Sequence, residues 1–143
     1  MKEYFFDTYA IIELIKGNLK YEFVKDFTII TGVMNLAEVY YALLLENKTT
    51  KFLTRPEFWV QKIPKEFSRK EKVDSVVGGL NLQILDVSPD TAIQGALFRY
   101  KNKKVNFSYI DSIGYILALS NNLAFLTGDK EFENLENVEF IKN

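Results

Sequence analysis

Residues 4–18 read YFFDTYAIIELIKGN, and this stretch indicates how the chain folds. Tyr4–Phe6 is a short apolar run that stops at the acid Asp7, as a buried strand would. A helix is predicted from Tyr9 to Lys16, because its apolar residues recur with helical spacing, and Gly17 followed by Asn18 is a typical helix end. The stretch therefore predicts a strand followed closely by a helix.

The rest of the chain repeats this alternation. Further strands are predicted at residues 27–31, 82–87, 123–127 and 138–141, and further helices from Asn35, after Ser88-Pro89, and from Ser108 to about Ser120. Residues 48–79, interrupted by prolines, fit two short helices that end at Gly78-Gly79. The helix after Pro89 carries an apolar stripe formed by Ala92, Ile93, Ala96, Leu97 and Tyr100. Alternating strands and helices indicate a parallel sheet covered on both faces, and no linker divides the chain, so we expect a single α/β domain over residues 1–143.

The composition excludes several classes of site. The chain has no cysteine and no histidine, so it offers no disulfide, no Ser-His-Asp triad and none of the usual zinc ligands. An enzyme of this composition would depend on carboxylates, lysines, hydroxyls or a bound hard cation. The N-terminus reaches an acid at Asp7 before any signal-peptide core could form, and no apolar run is long enough to span a bilayer. We therefore expect a soluble, cytoplasmic protein without a membrane segment.

Four acids are predicted at one edge of the sheet. Asp7 follows the first strand and Asp129 follows the fourth, while Glu38 and Asp111 lie in the first turns of helices that open near the same edge. Ligands of open parallel sheets bind outside the carboxyl ends of the strands. Clustered carboxylates repel each other, and Mg²⁺ or Mn²⁺, which prefer oxygen ligands, would relieve that repulsion.

The same acids also have a purely structural interpretation. Asp7 is a favoured N-cap residue, and Asp129 could cap the turn that follows it. Asn35 with Glu38, and Ser108 with Asp111, have the spacing of capping boxes. Each acid taken alone leaves both interpretations open, although independent caps need not all fall at one edge of one sheet.

Four segments resemble the acidic motifs of the PIN-domain family, in the family's order. They are Tyr4-Phe5-Phe6-Asp7-Thr8, Asn35-Leu36-Ala37-Glu38-Val39, Tyr109-Ile110-Asp111-Ser112-Ile113 and Leu126-Thr127-Gly128-Asp129-Lys130-Glu131-Phe132. The resemblance covers nearly the whole chain and is poorest across residues 48–79. It implies a three-layer α/β/α PIN-like fold with a central, mostly parallel sheet of four to five strands.

The resemblance also implies a function. PIN domains are endoribonucleases that depend on Mg²⁺ or Mn²⁺, and many small members are toxins of VapBC-type toxin–antitoxin pairs, while others process RNA. On the family pattern Asp7, Glu38, Asp111 and Asp129 form the metal-binding and catalytic quartet, with Thr8 and Thr127 as supporting residues. The partners implied are an RNA substrate, an antitoxin protein and, since PIN domains often dimerise, a second copy of the chain.

Positive charge is unevenly distributed although the net charge is −1. Residues 48–72 hold eight lysines and arginines against three glutamates, and a second basic cluster consists of Arg99, Lys101, Lys103 and Lys104. These residues are either solvated helix faces or contacts for RNA phosphates. Phe52, Phe58 and Trp59 are either packing residues or platforms for unpaired bases. If the protein is a toxin, residues 48–79 are the expected docking region for an antitoxin or a second subunit.

Other functions fit less well. A haloacid-dehalogenase site requires a second Asp two residues after the first, where this chain has Tyr9, and no phosphate-binding Gly-x-x-x-x-Gly-Lys motif is present. A receiver domain requires an acid pair after the first strand that the sequence lacks. The alternative that stays open is a catalytically silent PIN-fold module that binds RNA or protein without cutting it.

Overall fold

The computed structural model describes residues 2–45 and 66–142, and in these ranges five parallel strands form one sheet. The strands are β1 (Tyr4–Phe6), β2 (Ile29–Gly32), β3 (Leu82–Leu85), β4 (Ala124–Thr127) and β5 (Val138–Phe140). Their order across the sheet is β3-β2-β1-β4-β5, so that β1 lies at the centre between β2 and β4. The expected parallel sheet is confirmed.

Helices connect these strands. In the described part of the chain they are α1 (Thr8–Lys16), α2 (Val33–Leu45), α3 (Arg69–Gly78), α4 (Pro89–Lys101) and α5 (Tyr109–Ser120), with 3-10 helices at Leu19–Val24 and Lys130–Phe132. Predicted helix boundaries are confirmed at Gly17, which ends α1 in the left-handed conformation at φ 77°, and at Ser88 and Ser108, which cap α4 and α5. No helix in these ranges is long and apolar enough to cross a lipid bilayer.

Each face of the sheet has its own core, because successive side chains of a strand point to opposite faces. Tyr4 and Phe6 pack into one core with residues of α1, α2 and α3. Phe5 lies in the other core, where its ring stacks on Phe125 and residues of α5 cover it. Helical layers therefore cover both faces, which confirms the three-layer α/β/α fold.

The apolar stripe of α4 does not face the core. Ile93, Leu97 and Tyr100 are 59%, 44% and 68% exposed. The helix instead turns Gly95 toward α5, where a Cβ atom at that position would lie 2.6 Å from Cγ1 of Ile113. Because glycine permits this close approach, the backbone of α4 packs on α5 and the stripe is left at the surface.

Two further predictions differ from the structure or lie outside it. Helix α2 begins at Val33, two residues before the predicted start at Asn35. The second of the two helices predicted within residues 48–79 is present as α3 and ends at Gly78. The first one, with Phe52, Phe58, Trp59 and most of the basic segment, lies outside the described residues.

Candidate active site

Asp7 connects β1 to α1 and lies at the end of the central strand. It is the N-cap of α1: its Oδ1 accepts a hydrogen bond from the Ala10 backbone N–H at 2.8 Å. Its Oδ2 accepts a hydrogen bond from the Thr127 hydroxyl at 2.5 Å. The side chain is buried, with 7% of the residue exposed. The capping interpretation of Asp7 is thus correct, and the same carboxylate also joins the ends of β1 and β4.

Thr127 and Asp129 are positioned by the end of β4. Thr127 is fully buried at the end of the strand, and its Oγ1 accepts a hydrogen bond from the Asp129 backbone N–H at 3.0 Å. Asp129 caps the 3-10 helix Lys130–Phe132, with its Oδ1 accepting from the Glu131 backbone N–H at 3.0 Å. The Thr127 hydroxyl therefore connects Asp7 to the segment that carries Asp129.

Glu38 is held by a hydroxyl from another element. The Thr8 hydroxyl donates to Oε1 of Glu38 at 2.6 Å and accepts from Nδ2 of Asn35 at 3.2 Å. The predicted capping box between Asn35 and Glu38 is wrong, because α2 already begins at Val33 and both residues lie inside the helix. Their spacing places them on the same face of α2, where they meet the start of α1 instead.

Asp111 lies in the first turn of α5, as predicted. It forms a capping box with Ser108: the Ser108 backbone N–H donates to Oδ2 of Asp111, and the Asp111 backbone N–H donates to Oγ of Ser108, both at 3.0 Å. This reciprocal pair sets the direction of the carboxylate at the start of the helix.

Electrostatic interactions show which acids lie near each other. The pKa of Asp7 is raised to about 7, mainly by burial; the hydrogen bonds from Thr127 and Ala10 oppose this rise, and the charges of Asp111 and Asp129 contribute to it. Burial also raises the pKa of Glu131, as do the charges of Asp129 and Asp111. Asp7, Asp111 and Asp129 are therefore electrostatic neighbours, whereas Glu38 is attached to the group through Thr8, the residue next to Asp7.

In these side-chain conformations the acids are not gathered into a finished metal site. Among residues 2–45 and 66–142, no three His, Cys, Asp or Glu side chains are arranged to hold a metal ion. Each of the four carboxylates accepts a hydrogen bond from a nearby hydroxyl or backbone N–H. The four acids therefore point toward their own hydrogen-bond donors. Their oxygens are nevertheless the ligand type that Mg²⁺ and Mn²⁺ prefer, so the chemistry of the donor set fits such an ion.

Three residues near the site were missed by sequence reasoning. The sequence predicts Asn35 as a helix start and as a capping partner of Glu38, although the same three-residue spacing could have placed both on one face of α2. Glu131 was not considered as an acid of the site. Tyr21 is fully buried near Asp7 and Gly128, and its hydroxyl has no hydrogen-bond partner among the described residues. No local pattern in the sequence points to Tyr21.

Comparison with known proteins identifies a family. Residues 4–138, nearly the whole chain, match the PIN domain family. A comparison with curated proteins gave no match.

Solved structures of similar fold include two toxin–antitoxin assemblies. The toxin-antitoxin complex from Klebsiella pneumoniae is 16% identical in sequence, with 98% of each chain covered and a TM-score of 0.67. The DNA-bound VapBC from Salmonella typhimurium is 20% identical, with 98% of this chain and 97% of that chain covered and a TM-score of 0.67. A third structure, VapC20 from Mycobacterium tuberculosis, described as a sarcin-ricin loop cleaving toxin, is 13% identical, covers 98% and 100% of the two chains, and has a TM-score of 0.66. At these identities the likeness concerns the fold.

Proposed function

This chain belongs to the PIN-domain family, and from that premise we propose that it is a divalent-metal-dependent endoribonuclease that hydrolyses RNA phosphodiester bonds. The observation that carries the proposal is the environment of Asp7. This carboxylate is buried at the end of the central strand and lies within the electrostatic influence of Asp111 and Asp129. Asp7 could cap α1 without being buried and without two further acids nearby. Burial and the neighbouring negative charges both cost folding free energy, and ionisable groups perturbed in this way are common at functional sites.

We propose that Asp7 and Asp111 hold Mg²⁺ or Mn²⁺, with Glu38 and Asp129 contributing directly or through water. An ion bound there would act as a Lewis acid and would lower the pKa of a bound water toward about 7. Such a water could serve as the nucleophile without a histidine as general base, a residue that this chain lacks. The hydroxyl of Thr127 orients Asp7, and the hydroxyl of Thr8 orients Glu38. Ser108 does the same for Asp111 through the capping box.

The biological role that we propose is that of the toxin in a toxin–antitoxin pair, acting in the cytoplasm. It is supported by the three structures of similar fold described above, which are a toxin and two toxin–antitoxin complexes. On this proposal the protein has an RNA substrate and an antitoxin partner, and a homodimer is expected. An RNA-processing nuclease would use the same site without an antitoxin.

A second candidate is a catalytically silent PIN-fold module that binds RNA or protein. One observation favours it: in the described residues the acids are turned toward their own hydrogen-bond donors and form no ready metal site. Measurement of metal binding distinguishes the two candidates directly.

The deciding experiment incubates the purified protein with a pool of structured and single-stranded RNAs in Mg²⁺, in Mn²⁺ and in EDTA. The Asp7→Asn variant is run beside it, with Asp26→Asn as a matched control. Asp26 is an exposed acid that precedes β2, at the opposite edge of the sheet. We expect cleavage in either metal, none in EDTA, none by Asp7→Asn, and normal cleavage by Asp26→Asn.

Two results together would reject the nuclease proposal. They are the absence of cleavage in every RNA tested and the absence of Mg²⁺ or Mn²⁺ binding by titration calorimetry. The silent binding module would then be the better description of the protein.

A further inference from the structure

A groove lies beside the candidate active site, between the end of α4 and the start of α5. It has a volume of about 340 Å³, at the lower end of the range for small-molecule sites. Six of the residues around it are Arg99, Tyr100, Lys103, Asn106, Phe107 and Tyr109. Tyr109 precedes Asp111 by two residues in the same first turn of α5, so the groove lies within one helical turn of this proposed metal-binding acid.

The sides of the groove are aromatic and open to solvent. Tyr100 is 68% exposed and Tyr109 is 56% exposed, whereas Phe107 is fully buried. Phe107 packs against Phe98 and Phe132, which makes it part of the core that supports the groove. The two tyrosine rings are thus presented on a rigid base. Exposed aromatic rings next to a nucleic-acid-cutting site are suited to stacking with unpaired bases.

A positively charged side chain lies over each of the two exposed tyrosine rings. The guanidinium carbon of Arg99 lies 4.3 Å from the ring centroid of Tyr109, and Nζ of Lys103 lies 4.9 Å from that of Tyr100. The position of Arg99 is further determined by a hydrogen bond from its Nε to the Phe107 carbonyl at 2.7 Å. The groove therefore presents rings and positive charges side by side, held in place before any ligand binds.

The charged residues that line the groove, Arg99 and Lys103, are both positive. Residues 91–110, which contain all of its lining residues, include Arg99, Lys101, Lys103 and Lys104 but neither Asp nor Glu. A polyanion would be attracted along this segment, and a phosphodiester chain also supplies the flat bases that the tyrosines can stack. The charges thus favour a nucleic acid over a protein partner for this groove.

We propose that this groove binds one unpaired nucleotide of the RNA next to the cleavage site. The base stacks against the rings of both Tyr100 and Tyr109, which line the same groove, and the adjacent phosphates pair with Arg99 and Lys103. The inference rests on the proposed ribonuclease function and adds a place where the substrate is held. Because stacking and phosphate contacts do not require a metal ion, this subsite binds RNA in the presence of EDTA.

The test measures binding apart from cleavage. A fluorescein-labelled octa-adenylate and octa-uridylate are titrated with the protein in EDTA, and anisotropy gives the dissociation constants. Tyr100→Ala and Tyr109→Ala should each weaken binding by roughly tenfold, the usual effect of removing one stacking partner. Tyr100→Phe and Tyr109→Phe keep the ring and should bind within about twofold of the unmodified protein. Phe23→Ala, at an aromatic residue that is 47% exposed and packs against Tyr4, serves as the distant control.

The salt dependence provides a second readout. Lys103→Gln should make the plot of log affinity against log salt concentration shallower by about 0.7, as expected when one contact to a single-stranded phosphate is lost. Far-UV circular dichroism melts verify that each variant is folded. If the alanine variants and Lys103→Gln bind both oligonucleotides like the unmodified protein, or if that protein binds neither, the proposal is wrong.

The binding test of this groove and the cleavage test of the proposed nuclease can fail independently of each other. Binding in EDTA that depends on the tyrosines, with no cleavage in Mg²⁺ or Mn²⁺, would retain the subsite and reject the nuclease. Cleavage by the tyrosine variants at the unmodified rate, with unchanged binding, would retain the nuclease and reject the subsite. Analytical sedimentation tests whether the same surface mediates self-association, since Ile93 and Leu97 extend the exposed face of α4. If Tyr100→Ala abolishes self-association and leaves RNA binding unchanged, the groove is a protein interface and the proposal falls.

Discussion

At the scale of single residues, Asp7 combines a structural and a chemical role. Its two carboxylate oxygens accept hydrogen bonds from Ala10 and Thr127, which fix the start of α1 and the end of β4 relative to each other. The same contacts keep a buried acid in one orientation beside Asp111 and Asp129. The residue therefore contributes hydrogen bonds to the fold while its charge opposes folding.

Replacing Asp7 by Asn should remove a loss of stability that the protein undergoes as the pH rises, when divalent ions are chelated. Burial raises the pKa of Asp7 from 3.8 to about 7, so the fold favours the protonated acid. The stability that this preference contributes is complete below about pH 4 and is lost as the pH rises through 7. Asparagine cannot ionise. The free energy of unfolding of Asp7→Asn, relative to the unmodified protein, should thus rise by roughly 1–3 kcal/mol between pH 5 and pH 8. Urea denaturation in EDTA measures it, and a constant or falling difference contradicts the prediction.

Gly128 has no room for a side chain. A Cβ atom there would lie 2.2 Å from Cε1 of Tyr9 and 3.0 Å from the Tyr21 hydroxyl. Gly128→Ala should therefore lower the free energy of unfolding by roughly 1–3 kcal/mol, and it should reduce RNA cleavage because the displaced loop carries Asp129. Gly78→Ala is the control, since no atom lies within 4 Å of its added Cβ. That variant should be unchanged or up to about 1 kcal/mol more stable, with normal cleavage. Equal stability of the two variants would contradict the clash.

At the scale of elements, the start of a helix sets the direction of a functional side chain. Helices α3 and α5 begin with the same device, a capping box formed by Ser68 with Glu71 and by Ser108 with Asp111. Only the second box contains a residue of the proposed site. The pair therefore separates the stability that a cap contributes from its effect on the site.

We expect Ser68→Ala and Ser108→Ala to lose similar stability, about 1 kcal/mol each, because each removes one capping hydrogen bond. Ser108→Ala alone should reduce RNA cleavage, since the Asp111 backbone N–H loses the hydroxyl that it binds and the first turn of α5 loosens. Thermal melts and cleavage rates of the two variants test this. Comparable loss of cleavage in both would show that general stability, rather than the position of Asp111, limits activity.

At the scale of the whole molecule, the order of the strands brings the acids to one edge. The chain moves outward from β1 through β2 to β3 and then crosses to β4 on the other side of β1. Such a reversal in strand order creates a crevice at the carboxyl ends of the strands. Asp7 and Asp129 follow the two neighbouring strands at this point, and Glu38 lies on the helix that follows β2.

A divalent ion that binds at this edge should stabilise the folded chain. At a concentration one hundred times the dissociation constant the gain is about 2.7 kcal/mol. The melting temperature should therefore rise with Mn²⁺ for the unmodified protein and for Asp26→Asn, but much less for Asp7→Asn. Differential scanning calorimetry provides the comparison. An equal rise in Asp7→Asn would place the bound ion elsewhere on the molecule.

The two cores share one sheet, and we expect them to unfold together as a single domain. Leu14 is buried in the core that contains α1, and Leu14→Ala should lower the free energy of unfolding by about 2–5 kcal/mol. The far-UV circular dichroism transition and the calorimetric transition of this variant should shift together and remain single. Two separate transitions would show that the halves fold independently.

Local interactions made much of this protein readable from its sequence. Helical spacing, strand-like apolar runs and the caps at Asp7, Ser88 and Ser108 involve residues within about four positions of each other, so the sequence alone determined the α/β class and the five strands of the sheet. The absence of cysteine and histidine likewise leaves the acids as the main candidates for site residues.

Contacts between distant segments were decided only by the tertiary structure. The contact of Thr8 with Glu38 and the burial of Asp7 beside Thr127 join residues 30 and 120 positions apart, which no local pattern encodes. The exposed stripe of α4 has the same origin, since the helix is turned by the fit of Gly95 against Ile113. A helix can present more than one face to its neighbours, and close packing between elements selects among them.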